Sequence, residues 1–375
     1  MSDTTSNSTS NSTDGPAGDS AAAFTSGAGN NRTAFVLGAS GQVGRAAVRS
    51  LVADGWDVRA ASRGGARDDG WPEEVRTVRV DREEEGALAH ALGDGCDVLV
   101  DMVAYGRPHA RQLTDLTDRI GSAVVISSGA IYEDDKGRGF DTQGEPDGAP
   151  RYPVPIPETC PTVAPGDATY ATKKVLLERE LLALGERLPV TLLRAGAIHG
   201  PYSPAPRELF FVKRVLDGRR RRVLAYGGRS QFHPVHVSNL AELIRLAAGQ
   251  PGSRVLNAGD PQAPTVAEIG AAIDAVMGWE SQTVLVEGAP PVGIVGSTPW
   301  GTEHPVIYDM AAAGRELGYR AVTGYAESLP QTVEWLTGRL REQGWEEAFP
   351  AMVKAYGPHG DLFNYADEDA WLARR

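Results

Sequence analysis

Short, uniformly apolar runs alternate along this chain with amphipathic segments. The run AFVL at 34–37 is typical of a buried strand, and residues 45–52 carry apolar side chains at helical spacing. Further strands are predicted over 56–61, 75–80, 97–103, 123–126 and 254–257. Further helices are predicted over 83–92, 108–120, 168–188, 209–216 and 238–248. Strands that alternate with helices at these distances predict an α/β fold with a doubly wound parallel sheet.

Glycines mark the turn between the first predicted strand and the first predicted helix. Gly38 permits a tight turn, Gly41 lets the backbone approach a pyrophosphate, and Gly44 lets the helix pack closely on the strand. The N–H groups at the helix start are free to bind an anion. A strand, this turn and a helix together are the context that a Rossmann-like dinucleotide site requires. The candidate cofactor residues of the turn are Gly38, Ser40, Gly41, Gln42, Val43 and Gly44.

The end of the second predicted strand bears on the choice of dinucleotide. Ser62 and Arg63 lie about 20 residues beyond the glycines, where an acid binds the ribose 2′-hydroxyl of NAD and an arginine accommodates the 2′-phosphate of NADP. Arg63 therefore favours NADP over NAD, and a surface arginine at a strand end is the alternative. We expect Asp81 beside the adenine ring, and Ala104 at a strand end that faces the cofactor.

Tyr170 and Lys174 carry the second chemical signal. They stand one turn apart on one face of the helix predicted over 168–188. An ammonium one turn from a phenol stabilises the phenolate, so we expect a tyrosine pKa below its usual value near 10. Such a tyrosine exchanges protons near neutral pH. Without the glycine turn, an ordinary amphipathic helix would be the better interpretation of Tyr-x-x-x-Lys.

Composition narrows the classes of function. The net charge of −12 opposes non-specific nucleic-acid binding, because that binding depends on lysine and arginine neutralising phosphates. The two cysteines, Cys96 and Cys160, form no disulfide framework. Residues 1–31 predict a disordered tail without the features of a signal peptide. No apolar run reaches the roughly 18 to 20 residues of a membrane helix, so we expect a soluble, cytoplasmic protein with no membrane partner.

Several motifs in order resemble those of the extended short-chain dehydrogenase/reductases, also called the NAD-dependent epimerase/dehydratase family. The resemblance covers roughly residues 33–340 and is closest to an atypical branch of that family. Several motifs in family order are far more specific than any one of them. They comprise the glycine turn 38–44, Ser127-Ser128 before Tyr132, Tyr170 with Lys174, and the segments 193–201, 236–241 and 257–259.

The resemblance implies a site and a division of the chain. Ser128 would hydrogen-bond the reacting oxygen, Tyr170 would act as general acid and base, and Lys174 would bind the nicotinamide ribose and tune Tyr170. Residues 32–200 with about 233–260 would form the NAD(P)-binding domain. Residues 201–232 with about 261–375 would form a smaller C-terminal substrate lobe.

The substrate end departs from the family pattern. Sugar-nucleotide members usually hold the pyrophosphate with arginines, but Phe232 stands at one expected position, so such a substrate is in doubt. The long insert 129–169 is either a solvated loop or a lid over the site. His233 and His236 lack a third ligand at suitable spacing, so no metal site is predicted. The candidate substrate residues are Arg207, Lys213, His233, Trp300 and His304.

Three functions remain open from the sequence. The first is an NAD(P)-dependent oxidoreductase acting on a small or medium carbonyl or alcohol. The second is an epimerase or dehydratase on a sugar-type substrate. The third is a nonenzymatic nucleotide-binding protein that contacts RNA through Arg219–Arg222, although arginines complementing a helix C-terminus are the better interpretation, and nucleic acid is an unlikely partner. We expect the aromatic tail 342–375 to pack on the second lobe or on a partner chain in a homodimer.

Overall fold

The computed structural model describes residues Arg32–Arg375; the tail predicted to be disordered, 1–31, lies outside them. The strands are β1 (Thr33–Leu37), β2 (Asp57–Ser62), β3 (Arg76–Arg79), β4 (Cys96–Asp101), β5 (Ile120–Ser128), β6 (Val190–Ala195), β7 (Ala197–His199), β8 (Arg221–Leu224), β9 (Pro234–His236), β10 (Arg254–Ala258) and β11 (Gln282–Leu285). The helices are α1 (Gln42–Ala53), α2 (Ala87–Leu92), α3 (Gly106–Thr114), α4 (Tyr170–Leu182), α5 (Leu209–Leu216), α6 (Val237–Gly249), α7 (Val266–Val276), α8 (Ala311–Leu317), α9 (Tyr325–Glu342), α10 (Trp345–Ala348), α11 (Pro350–Tyr356) and α12 (Tyr365–Leu372).

Seven strands form one parallel sheet in the order β10-β6-β5-β4-β1-β2-β3. The order reverses beside β1, which places a topological switch point at its carboxyl end. One face of the sheet packs against α1 and α6, and the other packs against α3 and α4. This arrangement confirms the predicted doubly wound α/β fold.

Apolar periodicity located the elements more accurately than their ends. The helix over 209–216 is confirmed to the residue. In contrast, α2 begins at Ala87, four residues later than predicted, after Gly86 with its φ of +72°. β5 extends from Ile120 to Ser128, well beyond the predicted 123–126, because polar Ser122 and Ser127 are also buried in the sheet. A hydrophobicity pattern therefore underestimates the length of a buried strand that contains polar residues.

A second apolar cluster lies beyond the carboxyl edge of the sheet. It brings together α5, α7, α9 and the aromatic C-terminal segment. Phe210 and Phe211 of α5 are buried in it, as are Phe349 and Met352. The insert 129–169 packs nearby, where Ile156 donates its N–H to Ile307 and its carbonyl accepts from Asp309. The insert is therefore part of the packed structure around the candidate site.

Candidate active site

The glycine turn has the geometry that a pyrophosphate site requires. Gly38 has a φ of +86°, which an L side chain rarely adopts. A Cβ on Gly44 would lie 2.3 Å from the Gly38 carbonyl oxygen, so only glycine fits at this contact between helix and strand. Gly41 caps α1 without a side-chain hydrogen bond, and no acid lies in the first helical turn. The N–H groups of that turn therefore remain available to an anion.

A crevice of about 420 Å³ lies on one side of this turn. Gly38, Ser40 and Gly41 form one wall, and Arg63 and Asp81 stand on the others. Arg63 is exposed at the end of β2 and has no ion pair with the residues that the structure describes. A crevice with these walls fits the adenosine half of a dinucleotide, with the Arg63 guanidinium free for a phosphate.

A second cavity, of about 610 Å³, lies on the other side of the turn and is lined by Gln42. Ser128, Tyr170 and Lys174 all contribute to its wall, so the structure brings the three predicted catalytic residues together. Ser128 ends β5, whereas Tyr170 and Lys174 come from the first turns of α4. Thr169 fixes the start of α4, because its hydroxyl accepts from the Thr172 N–H.

Lys174 is 5% exposed and is held by two backbone carbonyls. Its ammonium donates to the oxygen of Ala104 at 2.8 Å and to that of Ile126 at 2.9 Å. The ammonium thereby links the segment that follows β4 to β5, and it stands 5.8 Å from the Tyr170 ring centroid. Ala104, predicted to face the cofactor, is buried and contributes the carbonyl that orients Lys174.

The pKa of Tyr170 departs from the sequence prediction. The side chain of Tyr170 is 48% exposed, so its phenol is only partly desolvated. This partial desolvation raises the pKa of Tyr170, the hydrogen bond with the Ser128 hydroxyl opposes the rise, and the Tyr105 phenol adds to it. The predicted lowering of the Tyr170 pKa is therefore wrong for this structure, because desolvation outweighs the opposing hydrogen bond from Ser128. Burial also lowers the pKa of Lys174 to about 8, against the opposing charges of Asp101 and Glu178.

Four of the five candidate substrate residues do not line the cavity that holds Tyr170. The prediction that they contact substrate in this cavity is therefore wrong. The Lys213 ammonium pairs with Asp217 on α5. His233 uses both ring nitrogens within the protein, toward the Asp260 carbonyl and the Tyr308 N–H. Trp300 is fully buried in the second cluster, and His304 lines a smaller cavity of about 110 Å³ that adjoins the cavity with Tyr170 and shares Phe140 and Thr302 with it. These side chains serve packing or local pairing. A single sequence cannot show whether such a residue packs, pairs or binds a substrate.

Arg207 is the substrate candidate that does line the cavity, and aromatic side chains share its wall. Phe232, at the position expected to hold a phosphate-binding arginine, forms a pair with Phe140 of the insert at 5.3 Å between ring centroids. Tyr308 and Tyr356 also line the cavity but were not predicted. They come from segments far apart in the chain, so no local signal indicates that they meet.

Two other motif residues that carried the family resemblance prove to be structural. Arg194 pairs with Glu178 at 2.7 Å, with both side chains buried. Asn257 accepts from the Tyr132 hydroxyl at 2.6 Å and donates to the Ile156 carbonyl. The Asn257 contacts fasten the insert to the sheet, and the Arg194–Glu178 pair joins β6 to α4. Packing therefore explains part of these motifs.

The arginine run 219–222 is largely occupied within the protein. Arg219 pairs with Asp369, and Arg222 pairs with Asp274. Arg221 and Arg222 belong to β8, so the interpretation of all four as helix-terminal cations is wrong. Between residues 32 and 375 we find no cluster of three His, Cys, Asp or Glu suited to a metal ion and no helix capable of crossing a bilayer.

Comparison with known proteins bears on this site. The model of the NAD dependent epimerase/dehydratase family matches residues 34–259. No curated protein matches the chain. The UDP-N-acetylglucosamine 4-epimerase from Methanobrevibacter ruminantium M1, solved with UDP-N-acetylmuramic acid, superposes with a TM-score of 0.63 at 17% identity, over 82% of this chain and 99% of that one.

Two further solved structures show the same fold. The UDP-glucose 4-epimerase of Thermus thermophilus with NAD has a TM-score of 0.61 and 22% identity, over 82% of this chain and 99% of that one. The dTDP-glucose 4,6-dehydratase from Bacillus anthracis str. Ames with NAD has a TM-score of 0.60 and 17% identity, over 84% and 99%. Because the family model spans the sheet, the glycine turn and the Tyr-Lys helix, the chain belongs to the NAD-dependent epimerase/dehydratase family, a family of nicotinamide-dependent enzymes.

Proposed function

We propose that this chain is an NADP-preferring oxidoreductase that exchanges a hydride between the nicotinamide and the carbinol carbon of a small or medium alcohol or carbonyl compound. The main support is the convergence of Ser128, Tyr170 and Lys174 on one cavity beside the glycine turn. Lys174 is held in place by the Ala104 and Ile126 carbonyls, so its charge has a defined position near the phenol.

In this proposal the chain's own residues move the proton. A raised pKa keeps Tyr170 protonated at neutral pH, so the phenol is ready to donate to the oxygen of a carbonyl that is being reduced. Ser128 donates a hydrogen bond to that same oxygen, and the Lys174 ammonium stabilises the phenolate that remains. In the reverse direction Tyr170 accepts the hydroxyl proton as the carbinol is oxidised.

Family membership supports a second candidate, an epimerase or dehydratase that oxidises its substrate transiently and returns the hydride. The same three residues would perform both proton transfers. The two candidates differ in stoichiometry: the reductase consumes one NADPH per product, whereas the epimerase or dehydratase shows no net change in cofactor.

Turnover with a panel of carbonyl compounds and of sugar nucleotides tests these candidates. We expect NADPH oxidation equal to product formed, and a loss of about 100-fold or more in kcat for Tyr170→Phe, because the variant has no proton to exchange. Tyr202→Phe, at an exposed tyrosine outside the catalytic cavity, is the control. Full turnover by Tyr170→Phe would remove that residue from the mechanism, and product without NADPH oxidation would favour the second candidate.

The NADP preference rests on Arg63. Its free guanidinium borders the 420 Å³ crevice, so we expect Arg63→Ala to weaken NADP binding about tenfold or more while NAD binding stays nearly constant. Arg76→Ala, at an exposed arginine paired with Asp57, is the control. Similar affinities for NAD and NADP in the wild type, unchanged by Arg63→Ala, would contradict the preference.

A further inference from the structure

The cavity that contains Tyr170 has a one-sided charge. Among residues 32–375, two charged side chains line it, Lys174 and Arg207, and both are cations; no aspartate or glutamate of this range does. This stands out in a chain with a net charge of −12. Because Lys174 is already engaged by two carbonyls, Arg207 is the cation that remains for a ligand.

Arg207 is held by aromatic rings rather than by an acid. Its guanidinium carbon lies 5.2 Å from the centroid of Phe232 and 5.6 Å from that of Trp300. Its Nε is buried without a hydrogen-bond partner, and within 32–375 its side chain has neither an ion pair nor a hydrogen bond. These ring contacts hold the guanidinium beside Phe232 and Trp300, and its N–H groups have no acceptor among the described residues.

The nearest acid in sequence is turned away. Glu208 is 1% exposed, accepts from the Tyr325 hydroxyl at 3.3 Å and lies 3.8 Å from His199 Nδ1. Arg207 is partly buried. It differs from the five fully buried arginines of the described chain, each of which has a carboxylate partner: Arg82, Arg138, Arg194, Arg214 and Arg222.

The walls around Arg207 are suited to an apolar ligand body. Phe140 and Phe232 form their ring pair at the cavity surface, and Tyr356 contributes a third ring. A planar guanidinium binds a carboxylate through two parallel hydrogen bonds. A pyrophosphate carries more than one negative charge and is usually matched by several cations, whereas one free arginine matches a single carboxylate.

We propose that Arg207 is a substrate-binding residue that recognises the carboxylate of an organic acid whose apolar, ring-sized body lies against Phe140 and Phe232. The proposal rests on the proposed function only in taking this cavity as the substrate site. The reacting carbonyl or hydroxyl then faces Ser128 and Tyr170, and the acid group faces Arg207.

Binding of a matched pair of probes tests this without turnover. The full chain, with and without NADP, is titrated calorimetrically with 3-phenylpropanoate and with 3-phenylpropanamide, which has nearly the same shape and no charge. We expect the acid to bind about tenfold or more tightly than the amide. Arg207→Gln should abolish this preference, and Arg207→Lys should keep part of it. Arg229→Gln, at an exposed arginine paired with Glu287, should change nothing.

Several results would overturn the proposal: equal binding of acid and amide, no binding of either by the wild type, or a preference that survives in Arg207→Gln. Tighter Arg207-dependent binding of UDP-glucose would assign the arginine to a pyrophosphate instead. If Arg207→Gln fails to fold, Arg207→Lys and the wild-type Nε–H resonance, followed by NMR during both titrations, provide the same decision. NADP binding is measured separately, so loss of the proposed function and loss of the acid site are distinguishable.

Discussion

At the scale of single residues, Lys174 carries a buried charge whose cost in folding free energy depends on pH. It is nearly fully buried, and burial lowers its pKa to about 8 from the ordinary 10.5. Below pH 8 the folded and unfolded chains both hold this proton, so the cost of burying the charge is fully present. Between 8 and 10.5 the unfolded chain holds a proton that the folded chain has lost, so the contribution of Lys174 to stability improves as pH rises.

A pH series of unfolding free energies checks this sign. From about pH 7 to about pH 10 we expect the wild type to gain about 2–3 kcal/mol relative to Lys174→Met, which lacks the titrating group. Urea unfolding at several pH values measures the difference. Lys173→Met retains Lys174 and should follow the wild-type pH profile, since its ammonium stands over the Tyr105 ring rather than between carbonyls. A constant difference between wild type and Lys174→Met would contradict the lowered pKa.

The candidate catalytic residues were predictable from the sequence where their arrangement depends on local spacing. Tyr170 and Lys174 are one helical turn apart, so five consecutive residues of sequence are enough to place them on one face. The pKa direction of Tyr170 was not predictable, because it depends on atoms from distant segments such as Tyr105. The sequence also could not show that Arg207 lacks an acidic partner, because this depends on the direction in which the neighbouring Glu208 side chain points.

At the scale of elements, the contact between β1 and α1 depends on one glycine. A Cβ on Gly44 would lie 2.3 Å from the Gly38 oxygen and 2.6 Å from the Ala39 Cα, and both are backbone atoms that cannot rotate away. The strand, turn and helix were predictable together because their signals are local. Their neighbours in the sheet order were not, because that order is set by packing between segments far apart in the chain.

Gly44→Ala should therefore separate α1 from β1. We expect a destabilisation of about 1–3 kcal/mol and weaker dinucleotide binding, because the helix start moves away from the pyrophosphate position. Gly338→Ala, in α9, is the matched control: its Cβ would meet nothing within 4 Å, and alanine should stabilise the helix by about 0.5–1 kcal/mol. Urea unfolding and NADP titration of both variants measure the contrast. Wild-type behaviour in Gly44→Ala would show that the turn tolerates a side chain.

At the scale of the whole molecule, the C-terminal segment joins the fold at the wall of the catalytic cavity. Glu368 of α12 is 2% exposed and pairs with Arg214 of α5 at 3.0 Å, and Phe363 packs on Phe210 of that helix. Tyr356 from the same segment lines the cavity. Packing on the second lobe was one of the two placements predicted from the aromatic content, but the ion pair that fastens the segment has no signature in the sequence.

Substitutions of two adjacent acids, Glu368 and Asp369, compare this buried ion pair with an ion pair at the surface. Glu368→Gln leaves the buried Arg214 without a counter-charge, so we expect a loss of about 3–5 kcal/mol in unfolding free energy. Asp369→Asn breaks a pair between Arg219 and a carboxylate that is 55% exposed, so its cost should stay within about 1 kcal/mol. Thermal and urea unfolding of the two variants measure the two losses of stability.

Because α12 and the segment with Tyr356 pack together on α5, Glu368→Gln should also raise KM for substrate, whereas Asp369→Asn should not. Equal effects of the two substitutions would mean that the aromatic contacts, rather than the buried charge pair, hold the C-terminal segment against α5.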